Sequence, residues 1–339
     1  YETDLLEFGD IFDGSRVIAE KVEKLKYDAT QELRRIDEMG GAVAAIDSSY
    51  MKRALVSANA RRMAAIETGE RVVVGVNKFV EAEASPLVPG QGGDSAFLSV
   101  DPKAEEQQIA ALIHWRAARD DAAVGPALAA LERVAGDGGN TMEPSIACAH
   151  AGVTTGEWAA ALRRVYGEYR APTGVSGASP AMASTRTDEA RERVEAVSSK
   201  LGRRLKMLLG KPGLDGHSNG AEQIAVRARD AGIDVVYEGI RLTPEQIVSA
   251  ALEEGVHVIG LSILSGSHVK LVGEIMSLLR DAGLDDVPVV IGGIIPQADA
   301  ELLLAQGVSR VYTPKDFDMG QIMFDIAGIV EAAAATKEA

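Results

Sequence analysis

"LKMLLGKPGLDGHSNGAEQIAVRARDAG", from Leu205 to Gly232, is the stretch that decides the fold of this 339-residue chain. It opens with a short apolar run, which predicts a buried β-strand, and closes with apolar residues at helical spacing. The loop between them carries three glycines, an aspartate and His217, one of five histidines in the chain. A strand, a glycine-containing loop and a helix in this order predict one unit of a parallel α/β sheet.

The same alternation of strand and helix repeats toward the end of the chain. Four further apolar segments, "DVVYEG", "VHVIGLS", "VPVVIGG" and "SRVYTP", are each followed by a helical pattern. Five such strands predict a doubly wound parallel sheet, for which we expect the flavodoxin-like strand order 2-1-3-4-5. In that order a ligand binds at the carboxyl ends of the strands, near the switch between strands one and three.

The first 202 residues follow a different, mainly helical pattern. We predict helices at about 14–40 and 49–67, then a short buried strand "RVVVGVN" at 71–77, and four helices between 102 and 169. The segment that starts at 171 has low complexity and is predicted to be a linker. The polar helix "EARERVEAVSSKL" that follows it is expected to face the solvent.

The composition restricts the classes of function. The net charge of −15 disfavours nucleic-acid binding, which needs clustered Lys and Arg for phosphate contacts. No apolar run approaches the roughly 20 residues of a membrane span. The single cysteine, Cys148, excludes an intrachain disulfide, which fits a reducing cytosol. We therefore expect a cytoplasmic protein that has neither a nucleic-acid nor a membrane partner.

His217 is the strongest candidate for a metal ligand. An imidazole offers one nitrogen to a metal when an acceptor holds the other, and Asp215 is near enough to be that acceptor. Lys211 is near enough to tune the carboxylate in turn. One histidine does not make a protein-held metal site, because zinc requires three or four ligands. The pattern therefore indicates a metal that arrives inside an organic cofactor.

Small residues on the same predicted rim indicate a slot for that cofactor. The glycines remove side chains where the loops meet a bulky ligand, the serine after strand three offers a hydroxyl, and the leucine offers an apolar wall. Such a slot suits a flat, mostly apolar group with one hydrogen-bonding atom. The candidate cofactor-binding residues beside Lys211, Asp215 and His217 are Gly216, Ser218, Gly220, Ser262, Leu264, Gly292, Gly293 and Thr313.

Each of these motifs has an ordinary structural explanation when it is taken alone. "DG" and "NG" are common turn dipeptides, and a single loop histidine is usually polar surface. Three motifs on neighbouring loops of one sheet are more specific than any one of them. His114, His150 and His257 are interpreted as structural, whereas His268 fits two roles equally, a hydrogen bond near the slot or a helix cap.

The motifs "LDGHSNG", "LSILSG", "VIGG" and "VYTP" resemble the cobalamin-binding domains of the base-off, His-on class. The resemblance implies that His217 is the lower axial ligand of cobalt, with Asp215 as its hydrogen-bond partner and Lys211 as the outer member of the relay. It also implies that the dimethylbenzimidazole tail of the cofactor lies in the slot. There Ser262 would contact a tail nitrogen, and the Gly292-Gly293 pair would let the tail pass the sheet.

The earlier segments "DIFDGSRVIAEKVE", "VGVNKF" and "TTGEWAAALRRVYGEYRAP" are similar to acyl-CoA mutases of the methylmalonyl-CoA mutase family. In that family the catalytic region is a TIM barrel. The resemblance therefore implies that residues 1–85 form the end of a barrel and 86–170 a helical extension of it. A linker at 171–202 and a cobalamin-binding domain at 203–339 would follow.

The resemblance also implies the reaction, an adenosylcobalamin-dependent radical rearrangement of an acyl-CoA thioester. The sequence motifs are most similar to those of members that interconvert ethylmalonyl-CoA and methylsuccinyl-CoA, while methylmalonyl-CoA and isobutyryl-CoA remain alternative substrates. The residues that grip the acyl-CoA are expected upstream. Glu2 falls near a family glutamate that contacts the adenosyl ribose, although the sequence alone favours a surface carboxylate. A homodimer and a G-protein chaperone are the implied partners.

Other classes of protein use a similar sheet. A cobalamin methyl carrier needs a helical cap, for which the helices at 103–169 are candidates, and a B12 sensor needs a DNA-binding segment, which the acidic composition disfavours. A phospho-receiver domain needs an aspartate at the end of strand three, where Ser262 stands. A flavodoxin needs a hydroxyl-rich first loop to hold its phosphate, and this loop lacks one.

Overall fold

The chain divides into two compact units, residues 1–80 with 171–339 and residues 81–170. The computed structural model describes residues 9–80, 102–169 and 185–338. The first unit begins with three helices, α1 (Arg16–Glu38), α2 (Ala42–Asp47) and α3 (Tyr50–Glu67). The long helices α1 and α3 agree with the predicted ones, and α2 is an additional short turn of helix between them.

The predicted strand at 71–77 is wrong. The segment makes a tight turn in which the Gly75 N–H donates to the Lys78 carbonyl at 2.9 Å. The Asn77 side chain holds the turn, because it accepts from the Val73 N–H and donates to the Ile66 carbonyl. Val74 is 73% exposed. The run of valines matches the pattern of a strand. Among the described residues, however, no strand pairs with this segment, and the five-stranded sheet does not include it.

The second unit is helical, with α4 (Pro102–Ala118), α5 (Asp121–Gly136), α6 (Met142–His150) and α7 (Thr155–Tyr166). These helices agree with the four that the sequence predicts. Leu131, Cys148 and Ala161 form a small buried core where α5, α6 and α7 meet. Thr154 and Glu157 form a reciprocal capping box that starts α7.

The rest of the first unit is the predicted parallel sheet. Its strands are β1 (Lys206–Gly210), β2 (Asp234–Val236), β3 (Val258–Ile263), β4 (Val289–Gly293) and β5 (Arg310–Tyr312). They pair in parallel in the order β2-β1-β3-β4-β5, which confirms the flavodoxin-like prediction. The helices that accompany them are α8 (Thr185–Lys200), α9 (Asn219–Asp230), α10 (Pro244–Glu254), α11 (His268–Asp281), α12 (Gln297–Ala305) and α13 (Met319–Glu338).

Helices cover both faces of the sheet, as parallel sheets require. Met207 and Leu209 point to one face, where they share a core with α8, α9 and α13. Leu208 points to the other face and joins the core formed with α10, α11 and α12. This two-sided burial explains why the strands are continuous apolar runs. No helix in the described ranges has the length and apolar character to cross a membrane.

The expectation that the polar helix after the linker faces the solvent is wrong for one side of α8. Ala190, Val194 and Val197 are buried, and α8 packs against α13. These three residues recur at spacings of four and three, so they form a narrow apolar stripe on an otherwise charged helix. The high average polarity of the segment conceals that stripe.

Candidate functional site

The candidate site lies at the carboxyl ends of β1, β3 and β4, where the strand order switches. The loop after β1, residues 211–218, is called the histidine loop below. Its first residues are held by backbone hydrogen bonds to the segment before α10, from the Gly213 N–H to the Leu242 carbonyl and from the Leu242 N–H to the Lys211 carbonyl. These bonds fix the start of the histidine loop against that segment.

His217 is oriented by Asp215. Its Nδ1 lies 2.6 Å from Asp215 Oδ1, and its backbone N–H donates to the same oxygen at 3.0 Å. Because an ionised carboxylate only accepts hydrogen bonds, Nδ1 is the donor in this contact, and Nε2 is the ring nitrogen that Asp215 leaves free. The His217 side chain is 78% exposed, so Nε2 is available to a ligand outside the protein.

Asp215 is in turn held by Lys211. Lys211 Nζ donates to Asp215 Oδ2 at 2.8 Å, and the two side chains are 0% and 5% exposed. The Leu264 N–H donates to the same oxygen, and Lys211 also donates to the Ser262 carbonyl. Burial alone raises the pKa of Asp215, but the hydrogen bonds from Lys211 and His217 outweigh it and hold that pKa well below its usual range.

This relay joins the two strands on either side of the topological switch. Asp215 and Lys211 come from the β1 side, whereas the Ser262 carbonyl and the Leu264 N–H come from the β3 side. The buried lysine is paired with the carboxylate, and the carboxylate stays ionised. The arrangement therefore presents one oriented imidazole with an outward nitrogen.

A cavity of about 390 Å³ opens beside this relay, and we call it the edge cavity. Its volume lies within the range of small-molecule sites. Its walls are mostly apolar and come from β1, β3, β4, β5, the α3 region, α9 and α13. Among its lining residues are six of the sequence-predicted candidates, Gly220, Ser262, Leu264, Gly292, Gly293 and Thr313.

The two glycines that end β4 have different surroundings. A Cβ atom built on Gly293 would lie 1.9 Å from the Ile263 carbonyl oxygen, so the neighbouring backbone excludes any side chain there. A Cβ atom on Gly292 would meet nothing within 4 Å and would project into open space. Gly220 is similarly open. Gly293 therefore permits close strand packing, while Gly292 and Gly220 leave volume free for a ligand.

The remaining predicted residues are placed differently. Gly216 lies within the histidine loop, where its nearest neighbour for a Cβ would be an Arg241 nitrogen at 3.7 Å. The Ser218 hydroxyl accepts a hydrogen bond from Lys52 on α3 at 2.7 Å. Glu2 lies outside the described residues. The structure thus brings the relay and the slot residues to one edge of the sheet.

The sequence does not predict the part of the cavity wall that comes from α3, from the turn after it and from Tyr312. Met63 and Ile66 from α3, with Val73 and Val76 from the turn after it, line the edge cavity opposite the sheet. Tyr312 on β5 also lines it, and its hydroxyl is buried without a hydrogen-bond partner. In the sequence these residues are ordinary apolar positions of a helix, a turn and a strand, so no local signal distinguishes them from core.

The other histidines have structural roles or lie elsewhere. His268 is 3% exposed, with Nδ1 3.1 Å from the Ser265 carbonyl oxygen and Nε2 2.9 Å from Asp299 Oδ2, so neither nitrogen is left for a metal. His257 Nδ1 accepts from the Lys206 N–H. Within the described parts of the chain no cluster of three or more His, Cys, Asp or Glu side chains is arranged to hold a metal ion.

Comparisons with known proteins divide the chain in the same way as its motifs. The family model described as methylmalonyl-CoA mutase matches residues 1–168, and the B12 binding domain model matches residues 205–315. The chain is 57% identical to ethylmalonyl-CoA mutase of Cereibacter sphaeroides, over 100% of the chain and 51% of the relative. The ethylmalonyl-CoA mutase of Methylorubrum extorquens is 55% identical, over 98% of the chain and 48% of the relative.

More distant relatives act on a different acyl-CoA according to their names. The methylmalonyl-CoA mutase of Cereibacter sphaeroides is 34% identical, over 92% of the chain and 44% of the relative. The chain therefore spans about half the length of the curated relatives it matches.

Proposed function

The chain belongs to the methylmalonyl-CoA mutase family, and we propose that it serves an adenosylcobalamin-dependent acyl-CoA mutase that interconverts ethylmalonyl-CoA and methylsuccinyl-CoA. The observation that carries the proposal is the relay from Lys211 through Asp215 to His217, beside an apolar cavity at the same edge of the sheet. One oriented imidazole beside a slot suits a metal that brings its other ligands with it.

The residues present fit the cofactor. His217 Nε2 is the group that would bind cobalt, and Asp215 would hold the Nδ1 side of the imidazole and keep the ring correctly turned. The edge cavity would take the nucleotide tail, with Ser262 as the hydrogen-bonding hydroxyl and the open space at Gly292 as its path along the sheet. The unpartnered Tyr312 hydroxyl supports a polar ligand atom in that cavity, because a buried hydroxyl without a partner is costly.

When it is bound, adenosylcobalamin supplies a carbon radical by homolysis of its cobalt–carbon bond, and this chemistry permits a thioester group to move between neighbouring carbon atoms. The residues of this chain contribute binding and orientation. His217 would set the position of the cobalt, and Asp215 would hold the imidazole through its Nδ1 so that Nε2 is turned outward. The apolar walls of the edge cavity exclude water from the tail.

The substrate assignment rests on the pattern of identity. The chain shares 57% and 55% of its residues with two ethylmalonyl-CoA mutases but 34% with a methylmalonyl-CoA mutase from one of the same organisms. A chain that is this much more similar to the first group is expected to share the specificity of that group.

Two measurements test the proposal. Titration of the chain with adenosylcobalamin should give the absorption spectrum of a base-off cofactor with a histidine ligand, and a base-on spectrum would contradict the site. The full-length protein should then turn over ethylmalonyl-CoA faster than methylmalonyl-CoA or isobutyryl-CoA. Faster turnover of methylmalonyl-CoA or isobutyryl-CoA would assign that compound as the substrate instead. Binding in the full-length protein without any mutase activity would instead favour a methyl carrier or a B12 sensor.

Three further features are proposed on the family resemblance. They are a homodimer, a G-protein chaperone that serves the cofactor, and a cytoplasmic location. The buried, unpaired Cys148 is consistent with a reducing compartment. The domain limits 1–85, 86–170, 171–202 and 203–339 also remain a proposal, as do Gly216, Ser218 and Glu2 as cofactor contacts.

A further inference from the structure

The histidine loop has a second anchor, on the helix α3. Lys52 Nζ donates to Ser218 Oγ at 2.7 Å and pairs with Glu222 Oε1 at 2.7 Å. The Lys52 side chain is 25% exposed and that of Glu222 is 2% exposed. A charge contact with one nearly buried partner is much less screened by solvent than a surface ion pair. This contact is therefore expected to restrain the residues that it joins.

Ser218 stands where a helix usually receives its cap. A serine that precedes the first residue of a helix normally accepts a hydrogen bond from a backbone N–H of the first turn. Here the Ser218 side chain makes no such bond, and its backbone is in the right-handed helical region. Its hydroxyl accepts from Lys52 instead. The end of the histidine loop is thus tied to another element rather than to its own helix.

The other polar contacts between α3 and α9 do not reach the loop. Gln223 Nε2 donates to the Val56 carbonyl at 3.1 Å, and Arg227 pairs with Glu67. Both contacts lie further along α9, away from its start. Among the described α3–α9 contacts, the one made by Lys52 is next to His217.

We propose that Lys52 is a positioning residue for His217. The imidazole lies between two fixed neighbours, Asp215, which Lys211 holds from one side, and Ser218, which Lys52 holds from the other. Without the second anchor, the backbone at 216–218 gains freedom, and His217 spends less time in the orientation that binds cobalt. This inference rests on the proposed function for its effect on the cofactor, but the order of the loop is a property of the protein alone.

The test must separate positioning from a general loss of stability. Replacing Lys52 alone leaves the buried Glu222 carboxylate without its partner, which destabilises the fold for a different reason. The comparison is therefore between Glu222→Gln, which keeps the Lys52 hydrogen bond to Ser218, and the double variant Lys52→Ala/Glu222→Gln, which lacks it. Arg61→Ala, an exposed change on the same helix, is the matched control, and Lys52→Arg tests rescue by a second cation.

Two readouts decide the proposal. In the ligand-free protein, hydrogen exchange of peptides that cover residues 213–220 should be faster in the double variant than in Glu222→Gln, with no change in Arg61→Ala. Cobalamin affinity should fall about three- to tenfold in the double variant, below the roughly 10–100-fold cost of losing a direct partner of a metal ligand. In the double variant, the absorption spectrum of the bound cofactor should also shift toward weaker histidine coordination. The Lys52→Arg variant should keep most of the cobalamin affinity and of the histidine coordination of the parent chain.

Equal exchange rates in the double variant and in Glu222→Gln would overturn the proposal. So would faster exchange with unchanged affinity and spectrum, because the loop order would then not matter to the cofactor. If the parent chain gives no base-off spectrum, the proposed function fails, and the exchange rates of the ligand-free variants still decide whether Lys52 orders the loop.

Discussion

Asp215→Asn tests the relay most directly, because one substitution removes the charge and keeps the shape. Asp215 accepts hydrogen bonds from His217 Nδ1 and N–H, from Lys211 Nζ and from the Leu264 N–H. After the change, Lys211 remains fully buried with a carbonyl contact to Ser262 at 3.3 Å and no opposite charge. An uncompensated buried cation of this kind costs about 3–5 kcal/mol.

The assay is urea unfolding of the ligand-free protein, with the variant compared to the parent chain at several pH values. We expect a loss of about 3–5 kcal/mol in the free energy of unfolding at pH 7. The pKa of Asp215 is held below its ordinary value of 3.8, so its stabilisation is present above that value and is lost as the pH falls through the depressed pKa. The difference between the two proteins should therefore narrow in acid.

A second variant separates the two functions of the relay. Asp215→Asn/Lys211→Met removes the buried cation as well and should recover most of the stability. It should not recover cobalamin affinity, which we expect to remain roughly 10–100-fold weaker because the histidine loses its carboxylate partner. A loss under about 1 kcal/mol for Asp215→Asn, or full affinity in the double variant, would refute the reasoning.

The remaining predictions concern the ligand and the cavity. His217→Ala should lower the free energy of unfolding by about 0.5–1.5 kcal/mol, because Asp215 loses one of its hydrogen bonds, yet abolish histidine coordination in the absorption spectrum; an unchanged spectrum would rule out His217 as the ligand. Gly293→Ala should lower the melting temperature of the ligand-free protein, because the new methyl group would overlap the Ile263 carbonyl oxygen. Gly292→Ala should leave that melting temperature unchanged, since it meets no atom, but weaken cobalamin binding by filling the path of the tail. Equal melting temperatures for the two glycine variants would contradict the different surroundings described for them.

The sheet was predictable because each strand carries its own signal. "LKMLLG" and "VHVIGLS" are continuous apolar runs, as strands covered on both faces must be, and each is followed by a helix after a loop of eight or four residues, respectively. The strand order then follows from the crossover pattern, and the position of the site follows from the order. His217 and Asp215 are neighbours in the sequence, so their pairing needed no tertiary information.

The features that could not be predicted depend on contacts between distant residues. "RVVVGVN" has the composition of a strand, and only its surroundings show that Asn77 closes a turn there. Met63 and Lys52 are separated from the sheet by about 150 residues, and nothing local marks one as a cavity wall and the other as an anchor. Long-range packing of this kind overrides or adds to the local pattern.

The edge cavity is built from both of the segments that the two family models match, because α3 supplies one wall and the strands supply the other. A chimaera that grafts residues 205–315 onto a different relative would therefore exchange the strand side of the pocket and leave its α3 side unchanged. In the chimaera, the residues at positions 52, 63 and 66 would come from a different protein than the residues they face. A cobalamin-binding domain transferred without its matching α3 is therefore expected to bind cobalamin more weakly. Exchange of cobalamin-binding domains within this family should succeed when α3 is transferred together with the sheet.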